Sequence, residues 1–136
     1  MSDPRPRAIA DSEKITINLG VVDLGQIDLL VQEGFYSNRT DLIRTAIRNQ
    51  LATHGETLRH TVARRTLVMG LQDYGRRELE AVREAGERLR IQALGLVRIG
   101  EDVPPELARE TIESIVVLGA LHASPQVKAA LAGRIH

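Results

Sequence analysis

The chain carries four histidines, His54, His60, His122 and His136, and no cysteine. Metal sensing at a square-planar site calls for clustered imidazoles with a thiolate, and these scattered histidines with no sulfur ligand do not fit it. Asp73, Glu101 and Asp102 fall near the ends of expected strands, where solvated turns account for them. Ser114 and Ser124 lack the strand–elbow–helix context of a nucleophile, and Gly95 and Gly100 do not form a phosphate-cradling loop. No catalytic residue, metal ligand or cofactor is therefore expected, and the chain does not read as an enzyme. The residues that remain are Lys14, Thr16 and Asn18. They alternate with Ile15, Ile17 and Leu19 in the segment EKITINL, so one side carries an ammonium, a hydroxyl and a carboxamide at two-residue spacing. Such a row can hydrogen-bond to a line of polar groups.

Holding that row in place requires a strand with one buried face. Period two with β-branched residues predicts it over residues 13–19. Apolar residues at helical spacing (Val22, Leu24, Ile27, Leu30, Val31) predict a helix from Val22 to Glu33, ended by Gly34, where a left-handed conformation costs no Cβ clash. A second helix follows with Ser37 as N-cap, Asp41 in its first turn and an apolar stripe of Leu42, Ile43, Ala46, Ile47 and Leu51. It fades around Thr53 to Gly55.

Beyond a connector over residues 54–65, the pattern predicts strands at Thr66–Leu71, Leu89–Ile99 and Ser114–Ala120. Helices are expected at Glu78–Ala85, from Pro104–Pro105 through Ile112, and at Gln126–Ala132 with Ser124–Pro125 as cap. No internal repeat is evident. The expected fold class is α+β. A flexible arm (1–12) precedes a β-α-α module (13–53), which the connector joins to a small α/β module over residues 66–136 in β-α-β-α-β-α order.

The 136 residues hold 18 Lys+Arg and 18 Asp+Glu, a net charge of zero. Residues 1–65 carry 9 basic and 8 acidic groups and residues 66–136 carry 9 and 10, so the charges split almost evenly between the halves. The aromatics are Phe35, Tyr36 and Tyr74 alone, which makes the core aliphatic. No run approaches the ~20 apolar residues of a membrane span, and the N-terminus lacks the apolar stretch of a signal peptide. These features predict a soluble, cytoplasmic protein with no membrane partner. Neutrality also argues against a broad electrostatic binder of nucleic acid.

A lone strand of about seven residues cannot satisfy its own backbone groups. A second copy of the chain, pairing antiparallel, solves this. Ile15, Ile17 and Leu19 would then pack with Ile27, Leu30, Leu42, Ile43, Ala46 and Ile47 into a shared dimer core. Lys14, Thr16 and Asn18 would face outward on a two-stranded ribbon, an element that fits the DNA major groove.

The series EKITINL, a helix ending at Gly34, and FYSNRTDLIRTAIRNQL resembles the ribbon-helix-helix proteins, which include the Arc and methionine repressors and plasmid copy-number regulators. The resemblance covers residues 13–53 and implies an intertwined homodimer on double-stranded DNA, associated with the nucleoid. It implies that Lys14, Thr16 and Asn18 read base edges, and that Ser37, Asn38 and Arg39 hold a phosphate at the second helix's N-terminus. Arg5 and Arg7 on the arm would add attraction. Gly20-Val21-Val22-Asp23 stands where many relatives have Pro-Glu or Ser-Glu, which leaves the start of the first helix less sharply marked.

Residues 66–136 are too apolar for a solvated tail, and about 70 residues hold little core of their own. This module is expected to self-associate, joining dimers into a higher oligomer with avidity for adjacent half-sites. The expectation is a sequence-specific transcriptional regulator. Two other readings of the same fold are an antitoxin, with a toxin as partner and a tail that folds on it, and an interaction protein that does not bind DNA. Of these, a folded second module fits the antitoxin less well.

Overall fold

The computed structural model describes residues 12–136, so all but the last residue of the expected arm lies outside it. The chain forms two compact units. Among the described residues, one is Lys14–Thr61; the other is Val62–His136 together with Ser12 and Glu13. No helix among the described residues is long and apolar enough to cross a membrane.

In the first unit, α1 spans Val21–Gln32 and α2 spans Arg39–Thr53. Gly34 ends the first helix at φ 86°. The amide of Phe35 donates to the Leu30 carbonyl at 3.0 Å and that of Gly34 to Val31 at 3.1 Å. This double closure satisfies two carbonyls that the helix end would otherwise leave bare. Helix α3, Gly55–Arg64, occupies the connector and crosses from the first unit into the second.

The second unit alternates strand and helix: β1 (Val68–Tyr74), α4 (Arg76–Glu84), β2 (Leu89–Ile99), α5 (Pro105–Thr111), β3 (Ile112–His122) and α6 (Pro125–Ala130). Pro105 opens α5, where a missing amide hydrogen costs nothing. The Ser124 hydroxyl accepts from the Val127 amide at 3.2 Å to cap α6. The first strand begins two residues later than its apolar run predicts, because Thr66 adopts a positive φ of 52° and turns the chain out of α3. The third extends two residues further at each end than Ser114–Ala120, since β2 offers a partner along its whole length.

All three strands are parallel and lie side by side in chain order. Each crossover therefore advances one strand in the same direction, which sets the helices in a row on one face. Against that face pack Ile91, Ala93, Val97 and Ile99 of β2 and Ile115 of β3, with Leu79, Leu107, Val127 and Leu131 from the helices. The single polar member of this interior, Thr111, donates its hydroxyl to the Leu107 carbonyl at 2.7 Å.

The strand register exposes an internal repeat that residue patterns alone did not reveal. Gly70 of β1 pairs with Gly95 of β2, which pairs with Gly119 of β3. All three have positive φ, at 108°, 141° and 126°. A Cβ on Gly95 would run into the Gly70 carbonyl, and one on Gly119 into the Gly95 carbonyl. The unit is thus a short coil of strand-glycine-strand-helix turns, each stacked on the last. After α6 the chain returns beside β3: the Ile115 amide donates to the Arg134 carbonyl and the His136 amide to the Ile115 carbonyl, both at 2.8 Å. The turns differ in length and in helix composition, so only the glycines and flanking apolar residues repeat.

Gly95→Ala should cost at least ~3 kcal/mol, since it combines a strained backbone with overlap against a neighbouring strand. Gly25→Ala, in open space on α1, should be neutral or stabilising. Chemical denaturation of both variants checks this.

Candidate nucleic-acid interface

Residues 12–20 run without any hydrogen-bonded ladder, so the strand expected over 13–19 does not form within one chain. The reason is the one that made a partner necessary: a ladder needs a second edge, and the described residues offer none to this segment. Lys14, Thr16 and Asn18 are all exposed. So are their apolar alternates, with Ile15 74%, Ile17 59% and Leu19 40% exposed.

The expected core residues on the two helices tell the same story. Ile27, Leu42 and Ile43 are only half-covered, whereas Leu30, Ala46 and Ile47 are exposed. Neither α1 nor α2 contains a single buried residue. Burying an aliphatic side chain is worth ~1.5–3 kcal/mol, so this unit leaves most of its available stabilisation unrealised.

The start of α2 is more tightly built than expected, and its N-cap is Asn38 rather than Ser37. The Asn38 Oδ1 accepts from the Asp41 amide at 2.8 Å. Ser37 instead donates both its amide and its hydroxyl to the Asp41 carboxylate, each at 3.0 Å. Ser37 precedes the cap by one residue, so its hydroxyl reaches the first-turn acid and leaves the amides to Asn38. These bonds hold the Asp41 carboxyl below the usual aspartate range, the Ser37 amide contributing most and its hydroxyl next.

Arg39 is also engaged. Its Nε and one terminal nitrogen form a fork with both oxygens of Asp28 on α1, at 2.7 and 2.8 Å. The hydrogen bond from Arg39 draws the Asp28 carboxyl down, and Asp28 in turn raises Arg39. An arginine already paired in this way is a weaker phosphate ligand than a free one, although two fork bonds leave other donors available. The backbone supplies the rest: the Asn38 side chain takes the Asp41 amide and the Asn38 carbonyl takes that of Leu42 at 3.3 Å. The amides of Arg39 and Thr40 have no partner among the described residues.

Asp28 was not legible as part of this site. It lies eleven residues from Arg39 across the glycine turn, and only the closed turn brings the two together. Among the described residues, no three His, Asp or Glu side chains gather into a metal-binding cluster.

Both carboxyls have folded values below the ordinary ~3.9, so their contribution is complete above that value and is lost as pH falls through the lower folded values. Wild-type protein should therefore lose helical stability in acid, below about pH 4. The double variant D28N/D41N should start less stable at neutral pH and lose less on acidification. Urea midpoints followed by circular dichroism at the two pH values check this.

Comparison with families of known proteins matches residues 10–128 to the ribbon-helix-helix transcriptional regulator family. No curated protein and no solved structure gives a significant match. The matched span reaches well beyond residues 13–53, where the resemblance was read, and takes in the three parallel strands. The match thus covers the second unit as far as residue 128, and the chain belongs to the ribbon-helix-helix transcriptional regulator family.

Proposed function

We propose that the protein is a sequence-specific DNA-binding regulator that acts as a homodimer. Residues 13–19 of two copies pair antiparallel into a ribbon, which lies in the major groove with Lys14, Thr16 and Asn18 against base edges. Lys14 donates to guanine, Asn18 pairs with adenine through its carboxamide, and Thr16 hydrogen-bonds or meets a thymine methyl. The amides at the start of α2, around Ser37, Asn38 and Arg39, hold a backbone phosphate on each side.

One observation carries this reading. The unit Lys14–Thr61 leaves Ile15, Ile17, Leu19, Leu30 and Ile47 exposed and buries nothing in α1 or α2. A second copy offers the same apolar set in return, together with the strand edge that residues 13–19 lack. Family membership supports the DNA-binding role of the assembly so formed.

The second unit fits a role in assembly. Its helix-free sheet face presents Met69 at 67%, Leu71 at 44% and Leu118 at 44% exposure. Parallel sheets are ordinarily covered on both faces, so this face is suited to a copy of itself and would join dimers over adjacent half-sites. The unit already has its own aliphatic interior, which sets it apart from an antitoxin tail that folds only on its toxin.

Lys14→Ala and Asn18→Ala should each cost ~1–3 kcal/mol of operator affinity and relax base preference while the dimer persists. Ile17→Glu should dissociate the dimer by placing a charge in its core. Selection of bound fragments from genomic DNA with each variant, alongside light scattering, measures both effects. Unaltered base preference in Lys14→Ala and Asn18→Ala would sink the strand readout. Deleting residues 66–136 should leave a dimer of lower mass than the full-length assembly, with weaker and non-cooperative binding. An unchanged stoichiometry would refute the assembly role.

A further inference from the structure

The parallel register lines up a row of polar side chains at the carboxyl ends of the strands. Asp73 of β1 pairs with Arg98 of β2, which pairs with His122 of β3. The row ends on Glu13, whose carboxylate meets His122 Nε2. A pocket of about 430 Å³ opens here, lined by Arg98, Ile99, Glu101, His122, Ala123, Ser124 and Pro125. Its volume is in the range that holds small ligands, and crevices at the carboxyl ends of parallel strands are where open α/β sheets bind them.

We propose that this pocket binds a small aliphatic monocarboxylate, and that Glu13 competes with it for His122. Three observations define the ligand. Arg98 lines the pocket, and its Nε is covered and lies 2.8 Å from Asp73 Oδ1, so its terminal guanidinium nitrogens are the donors left for a ligand. A carboxylate in the pocket can provide one acceptor for Arg98 and another for His122. The chain's own carboxylate on His122 demonstrates that the imidazole takes such a group. Ile99, Ala123 and Pro125 supply an apolar wall for the aliphatic body.

The acids set the charge limit. A monocarboxylate replaces the single charge of Glu13 on His122, whereas with Asp73 on Arg98 and Glu101 in the lining a second negative charge would be repelled. This favours a monocarboxylate over phosphate. Lys14 follows Glu13 directly, so displacement of Glu13 would free the chain where the base-reading segment begins. That consequence rests on the proposed function; the site itself does not.

The test uses full-length protein with ¹³C-labelled histidine, titrated with 4-methylpentanoate and separately with inorganic phosphate. The His122 signal is assigned by its loss in H122Q. The Glu13 side chain is 53% exposed, so E13Q should fold as the wild type does, which circular dichroism verifies. The expected result is a saturable shift at His122 with 4-methylpentanoate and none with phosphate. Affinity should be about ten-fold higher in E13Q, where the charged competitor is gone. No saturable shift in E13Q overturns the site, equal affinity in wild type and E13Q overturns the competition, and saturation by phosphate overturns the ligand class. None of these readouts involves DNA, so failure of the site is distinct from failure of base reading.

Discussion

A backbone ladder needs two edges, and the availability of a second edge decides how each part of this chain folds. Strand β2 pairs with β3 from Leu89 to Arg98 and with β1 from Ala93 to Ile99, so its central part has a ladder on both sides. Residues 12–20 join no backbone ladder. The same contrast governs burial. Where the ladder closes, the helices have a sheet to cover and Leu79, Leu107 and Val127 become inaccessible. Where it stays open, α1 and α2 bury nothing. A homodimer built on residues 13–19 would supply ladder and core in one step, and for this reason the proposed ribbon and the proposed dimer are a single claim.

Zero net charge constrains how such a dimer would hold DNA. The chain has no overall basic excess, and the arginine at the α2 N-terminus is already forked onto Asp28. What remains is local: the ammonium of Lys14, the helix dipole, and amides at the start of α2 held in position by Asn38 and by the Ser37–Asp41 bonds. Backbone amides carry no formal charge and release few counterions, so binding of this kind has a shallow salt dependence and leans on base contacts. Arg39 then serves chiefly to lock the turn between α1 and α2, which fixes the direction in which those amides point.

Elements were legible in the sequence where a local pattern decides them. Gly34 ends α1 because its left-handed turn is a property of one residue, and β2 matches its apolar run from Leu89 to Ile99. Features set by distant residues were not. Ser37 and Asn38 are equally good caps by type, and only the position of Asp41 assigns the amides to Asn38. The repeat escaped notice because its turns share little beyond Gly70, Gly95 and Gly119, whose spacings of 25 and 24 gain meaning only once the strands are aligned. In the proposed interface, the side-chain row Lys14, Thr16 and Asn18 could be read from alternation, whereas Asp28 and its hold on Arg39 could not.

The chain passes between its two units twice. It leaves the second unit at Glu13, forms the first over Lys14–Thr61, and returns at Val62 through a continuous helix, α3. These two passages are not equivalent. At the return, the helix runs into Thr66, whose hydroxyl lies 2.6 Å from the Arg65 carbonyl and 2.8 Å from Gln92 Oε1 on β2. That junction also holds backbone bonds from the Thr66 amide to the Ala63 carbonyl and from the Leu67 amide to the Val62 carbonyl, and Thr66 has a positive φ. At the departure, the described contact is a half-exposed glutamate on a histidine, an interaction of the kind that contributes little to stability and exchanges readily. Glu13 opens the segment proposed to form the ribbon and directly precedes Lys14, so under the proposed function its release from His122 would bear on the ordering of that ribbon.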